Sequence, residues 1–196
     1  LVRHFTGLST LNFGVDSGCD RMLAALKRAY RREAIADAVQ ACRNAGITVM
    51  LDLLFGGPGE DEASVRESIE YVRELSPDRV GAPVGLRVYP RTPLERLVKS
   101  EGPMATNPNL RGVRENNDNF LYPVFYVDHR LGEDPVQLVH DLIGGDERFF
   151  PPPRIKGPAN YNYNNNDVLQ QAILAGERGA YWDILRRISS PPRAEA

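Results

Sequence analysis

"GITVMLDLLFGGPGEDEASV", residues 46–65, is the stretch that decides the fold. Ile47 to Phe55 is an almost unbroken apolar run, the pattern of a strand whose two faces are both covered. It carries one carboxylate, Asp52, and then breaks at Gly56-Gly57-Pro58-Gly59. Beyond the turn, "EDEASVRESIEYVREL" places Val65, Ile69, Val72 and Leu75 on one helical face. Its first turn is acidic, where the helix dipole favours negative charge. A strand, a glycine turn and an amphipathic helix in this order make a βα unit of a parallel sheet.

Two similar units flank it. Upstream, "LSTLNFGV" (8–15) alternates as a strand and stops at "DSGCD". A short helix over 21–27, with Asp20 as its cap, and a longer one over 32–44 ended by Gly46 follow. Downstream, "DRVGAPVGLRVYP" (78–90) reads as a third strand interrupted by Pro83, and Thr92-Pro93 opens a helix over 94–99. The β-α-β-α-β-α order implies right-handed crossovers. Three such units are half of a barrel or of a doubly wound sheet, with strand edges left open.

From about residue 103 the character changes. "GPMATNPNLRGVRENNDN" is polar and turn-rich, and "FLYPVFYV" (120–127) reads as an extra strand. "DPVQLVHDLIG" is a helix with Asp134 at its cap and Pro135 at its first position. "RFFPPPRIKGPANYNYNNND" is expected to be extended, and two helical stretches broken near Gly176 and Gly179 close the chain. The organisation expected is 1–102 as βα units and 103–196 as an extension, loop-rich and then helical.

Bulk composition narrows the function. Lys and Arg number 24 against 26 Asp and Glu, so no basic footprint points to nucleic acid. No apolar run approaches a membrane span, and "LVRHFTGLST" lacks the apolar core of a signal peptide. Cys19 and Cys42 are too few for a disulfide framework or a complete metal-ligand set, and the compartment expected is the reducing cytoplasm. His4, His129 and His140 share no metal-like spacing.

In parallel α/β folds, ligands bind at the carboxyl ends of the strands. Three loops meet that description here: "DSGCD", "FGGPGED" and "VYPRTP". Asp16 and Ser17 close the first strand, and Arg28 follows Asp16 by twelve residues. Asp52 needs donors if buried, which a ligand's vicinal hydroxyls or an arginine would provide. The Gly56–Gly59 turn is open to three readings: a phosphate cradle, a close approach of backbone to a nucleoside base, or a plain turn. Pro58 removes one donor, and neither P-loop nor dinucleotide-fold spacing is present. Arg87, Tyr89 and Arg91 cluster at the end of the third strand.

Taken together, "FGVDSGCDRMLAALKRAY", "GITVMLDLLFGGPGEDEASVRESIEYVREL" and "LRVYPRTPLER" resemble the second half of a radical S-adenosylmethionine (radical SAM) domain. The likeness covers residues 8–98 and is to the group that includes methylthiotransferases, oxygen-independent coproporphyrinogen oxidase and cobalamin-binding radical enzymes. It implies an α/β fold, the C-terminal half of a partial (β/α)6 TIM-like barrel, followed by a mostly helical extension. It implies that Asp16, with Ser17 beside it, and Asp52 contact the ribose hydroxyls of S-adenosylmethionine. By the same likeness Arg28 pairs with the methionine carboxylate, and residues from Phe55 through Gly56 to Pro58 line the adenine side. Arg87 is expected to contact an anionic part of a ligand.

The family's three-cysteine signature for a [4Fe–4S] cluster is absent, and the chain starts with Leu1. The chain is therefore expected to be a fragment, inactive alone, whose cluster ligands lie elsewhere. The intact parent would use S-adenosylmethionine at the cluster, with cobalamin a further expected cofactor. A small-molecule or peptide substrate and a reductant such as flavodoxin or ferredoxin would be its partners. Two other readings stand beside this one: a phosphate-binding TIM-barrel enzyme fragment, weakened by the lack of a strand lysine, and a noncatalytic ligand-binding half-barrel module.

Overall fold

The computed structural model describes residues 10–152 and 167–189. His4, the start of the first expected strand and nearly all of the Asn/Tyr-rich segment lie outside them. The described chain opens with β1 (Thr10–Asp16), α1 (Asp20–Ala25), α2 (Arg32–Asn44), β2 (Thr48–Leu53), α3 (Glu62–Leu75) and β3 (Arg79–Gly81). These are the first two expected βα units and the start of the third. Asp20 is the first residue of α1 rather than its cap, and its carboxylate instead accepts from the Arg32 N–H at 3.0 Å, tying α1 to the start of α2.

Strands β1, β2 and β3 pair in parallel in that order. The helices share one face of the sheet. Leu51, Leu53, Val49 and Val80 pack against Ile35, Val39 and Cys42 of α2 and Val65, Ile69 and Val72 of α3. At α3 the local chemistry is complete: the Asp61 carboxylate accepts from the Ser64 N–H, and Ser64 Oγ accepts from the Asp61 N–H.

The expected third strand is two. Pro83 has no N–H to give, and its carbonyl accepts from Phe55 N–H at 2.9 Å. Gly85, at φ 103°, then turns the chain out of the sheet. The continuation, β4 (Leu86–Arg87), precedes α4 (Pro93–Ser100) and joins β5 (Leu110–Arg111) and β6 (Phe125–Tyr126). These three form a separate antiparallel sheet in the order β4-β6-β5. A second small core of Val88, Val98, Leu110, Phe120, Val124 and Tyr126 holds it.

The extension returns to the first sheet. A short 3-10 turn, His129–Leu131, leads to α5 (Pro135–Ile143) and β7 (Phe149–Phe150), which pairs in parallel with β3. Val139 and Ile143 of α5 join the main core. Arg73 of α3 donates to the carbonyls of Leu142 and Ile143, satisfying the end of α5. Residues on both sides of position 102 thus share one parallel sheet, β1-β2-β3-β7. Helices α6 (Asp167–Leu174) and α7 (Tyr181–Ser189) pair with each other at the end of the described chain. No helix among the described residues is long and apolar enough to cross a membrane.

Candidate functional site

Among the described residues the main-core helices pack on one face of the sheet, and the other face carries Asn12 and Gly14 of β1, buried Met50 and half-buried Asp52 of β2, and Gly81 of β3. Alternation forces this, because Leu51 and Leu53 point into the core and Asp52 must point away. Gly14 and Gly81 are the register partners of Asp52 on its two sides. A Cβ on Gly14 would meet nothing within 4 Å, so the surface beside the carboxylate is open. On the other side a Cβ on Gly81 would fall 2.0 Å from Asp52 Oδ1, so only glycine leaves room for the carboxylate. Asn12 Nδ2 donates to Asp52 Oδ2 at 2.8 Å. Burial raises the Asp52 pKa; the Asn12 hydrogen bond opposes this, and the nearby Asp16 charge adds to it.

At the end of β1 a bulge and a positive φ of 59° turn Asp16 out of the regular ladder. Its carboxylate is paired with Arg28, brought back by the turn after α1. The Tyr30 hydroxyl donates to Val15 O at 3.2 Å and closes the same corner. Asp16, Arg28 and Asp52 therefore come together at the carboxyl ends of β1 and β2.

The other expected site residues are placed differently. Ser17 is buried and turned away: its hydroxyl pairs with Ser68 Oγ of α3 at 2.8 Å and accepts from the Cys19 N–H. The Phe55 side chain is wholly inside the core, so only its backbone faces the turn. Gly56 is buried, and Pro58 is half-buried. Arg87 lies on the second sheet, stacked on exposed Tyr89 with its guanidinium 4.8 Å from the ring centre. His129 Nδ1 pairs with Asn109 Oδ1 and His140 Nε2 with Pro152 O. Among the described residues no group of three His, Cys, Asp or Glu side chains is arranged to hold a metal.

The Gly56–Gly59 turn offers no N–H to an anion. The Gly56 and Gly57 amides both donate to Glu60 Oε2, Pro58 has none, and the Gly59 amide donates to Asp128 Oδ2 at 2.8 Å. Glu60 is only 1% exposed and its pKa is pushed up to about 7. Burial is the main cause and outweighs the two amide donors. Two carboxylates aimed at the turn exclude the phosphate-cradle reading. In the sequence Glu60 is only one of the acidic residues that crowd the start of the helix. Its signal is its place directly after the glycine turn, one residue before the Asp61 cap. Asp128 and Asn12 left no signal, since each acts across long stretches of chain.

A family model, the radical SAM superfamily, matches residues 4–72, which hold Asn12, Asp16, Arg28, Asp52 and Glu60. This stretch carries the sequence pattern of the radical SAM superfamily. Members of that superfamily work with S-adenosylmethionine and a [4Fe–4S] cluster. A tRNA-2-methylthio-N(6)-dimethylallyladenosine synthase of Chromohalobacter salexigens is 25% identical over 167 residues, 83% of this chain and 34% of its own length. Tryptophan 2-C-methyltransferase of Streptomyces laurentii is 29% identical over 117 residues, 57% of this chain and 19% of its own. The chain thus spans about a third or less of the curated relatives it matches.

The radical SAM likeness extends to the fold beyond residue 72. The methyltransferase TsrM of Kitasatospora setae, with tryptophan and a SAM analogue bound, superposes with a TM-score of 0.75. That match covers 91% of this chain and 40% of TsrM at 22% identity. A second structure of TsrM holds cobalamin and a [4Fe–4S] cluster and matches with a TM-score of 0.72. The α/β architecture with its parallel sheet is therefore similar to that of TsrM, extension included.

Proposed function

We propose that this chain is the C-terminal half of a radical SAM barrel that holds the nucleoside part of S-adenosylmethionine on the face of its sheet opposite the main-core helices. The observation that carries the reading is Asp52: a half-buried carboxylate between two glycines, on the face opposite the main-core helices, with one donor from Asn12. A carboxylate so placed gains from two vicinal hydroxyls what burial takes away. Asp52 and Asp16 would hold the ribose, and Arg28, 44% exposed while paired with Asp16, is available to a carboxylate of the ligand. Among the described residues the main-core helices lie on one face, which supports a barrel rather than a doubly wound sheet, and β1 stands at the edge of the sheet, where a further βα unit would add.

S-Adenosylmethionine supplies an activated methyl carbon when bound. The relatives named above act in methyl and methylthio transfer, and we take that as the reaction class of the parent. The described residues do not fit the [4Fe–4S] cluster: Cys19 and Cys42 are both buried, one capping α1 and the other inside the main core. Its ligands, and cobalamin if the parent resembles TsrM in that respect, belong to other parts of the protein. A flavodoxin or ferredoxin would then be the electron donor, and a small molecule or peptide the acceptor. The chain alone should bind without catalysing.

Asp52→Ala in the full-length protein should weaken S-adenosylmethionine binding about 10- to 100-fold, the worth of one or two charge-assisted hydrogen bonds. The folded state should be as stable as before, since a desolvated charge is removed. Calorimetric titration checks the first part and urea unfolding the second. Unchanged affinity would remove Asp52 from the site.

A further inference from the structure

The Gly56–Gly59 turn is clasped by a residue 69 positions away in sequence. Asp128 takes both ends of it: Oδ2 accepts from the Gly59 N–H at 2.8 Å, and its own N–H donates to Gly56 O at 3.1 Å. The approach is close, since a Cβ on Gly56 would lie 3.3 Å from Val127 Cα. Asp128 is itself fixed. It is 3% exposed, and Arg130 donates to it from its backbone N–H, from Nε at 3.0 Å and from Nη2 at 2.7 Å. The chain around it is anchored to the second sheet, where Val127 N–H donates to Asn109 O at 2.7 Å and the His129 N–H to Asn109 Oδ1 at 2.9 Å. Asn109 in turn donates to Glu101 at the end of α4, which also accepts from the Tyr126 hydroxyl.

We propose that Asp128 is a positioning residue for the turn after β2, and that through it the second sheet forms part of the S-adenosylmethionine site rather than a lid over it. The inference rests on the reading of that site given above. Neither half of the clasp is available to the βα units alone. Glu60 satisfies the Gly56 and Gly57 amides from within the turn, but among the described residues the Gly59 amide and the Gly56 carbonyl find their partners in the extension. Without Asp128 the half-buried Gly59 amide would seek water or another acceptor, and the turn would shift to supply one.

The test compares Asp128→Ala and Asp128→Asn in the full-length protein. Two quantities are read: amide exchange over residues 55–60 and S-adenosylmethionine affinity by calorimetry. Asp128→Ala should speed exchange at Gly59 and weaken binding about tenfold. Asp128→Asn keeps an oxygen for the Gly59 amide and should restore affinity to within about threefold of wild type. If Asp128→Ala does not fold, Arg130→Gln loosens the same carboxylate and should weaken binding by a smaller factor. Faster exchange with unchanged affinity would overturn the proposal, as would an Asn variant no better than Ala. Loss of the proposal alone shows as binding that depends on Asp52 but not on Asp128. A wild-type protein that does not bind S-adenosylmethionine overturns the site reading and this inference together.

Discussion

Gly81→Ala should destabilise the protein by about 1–3 kcal/mol, the usual cost of forcing a methyl into a filled site, and should displace the Asp52 carboxylate. The added Cβ would stand 2.0 Å from Asp52 Oδ1, 3.1 Å from Asp52 Cγ and 3.1 Å from Met50 Cε. No backbone atom is in the way, so β3 can keep its pairing and the side chains must give. Asp52 would rotate off Asn12, losing its donor while still half-buried. S-Adenosylmethionine affinity should therefore fall about as far as in Asp52→Ala. The double variant distinguishes the cause. With Asp52 already alanine, the Gly81→Ala substitution should cost distinctly less, since residues in contact couple. Additive losses in urea unfolding would show that the methyl clashes with something other than the carboxylate.

The second large effect concerns Glu60 and pH. Its pKa of about 7 in the folded state, against an ordinary value of 4.5, means that the folded protein holds this proton more tightly than the unfolded chain. Burial is the leading cause, opposed by the Gly56 and Gly57 amides, with the charges of Asp128 and Asp61 adding to the rise. The linked stabilisation is fully present below pH 4.5 and is lost as pH rises through 7. At about 1.4 kcal/mol per pH step, the decline between those values is about 3 kcal/mol. Asp146 works in the opposite sense. Its hydrogen bonds with Arg148 lower its pKa to about 2, so its contribution is complete above pH 4 and does not mask the trend.

Glu60→Gln should flatten this part of the stability curve and make the protein more stable than wild type at pH 7.5. Both turn amides use a single oxygen, Oε2, so the glutamine carbonyl can serve both. Urea midpoints at pH 5 and pH 7.5 measure it. An equal decline in the two proteins would place the titrating group elsewhere.

Much of the first half was legible because its signals are local. An apolar run ending in Gly-Gly-Pro-Gly and an acidic amphipathic segment need no distant partner to specify a strand, a turn and a helix. The capping box at Asp61 and Ser64 is likewise written within four residues. The convergence of Asp16, Arg28 and Asp52 was legible for another reason: spacing in a βα unit carries strand ends to one edge of the sheet. The family resemblance implies that Ser17 and Phe55 face a ligand, yet each side chain is turned inward. The sharp turn after Asp16 aims Ser17 at Ser68 of α3, and strand alternation sends Phe55 to the core with Leu53.

The extension was less legible, because its strands are two residues long and have no pattern of their own. Leu110–Arg111 and Phe149–Phe150 become strands only because an edge is there to receive them. The sequence by itself determined the βα order, the parallel sheet and the carboxylates at its strand ends, all from periodicity and turn chemistry. Tertiary structure alone decided that the extension completes the sheet with β7 and that Asp128 clasps the glycine turn. It alone also gave Asp52 the space left by Gly81. Those are contacts between residues far apart in the chain, fixed by which buried polar groups can find partners and which side chains have room, and no local pattern encodes them.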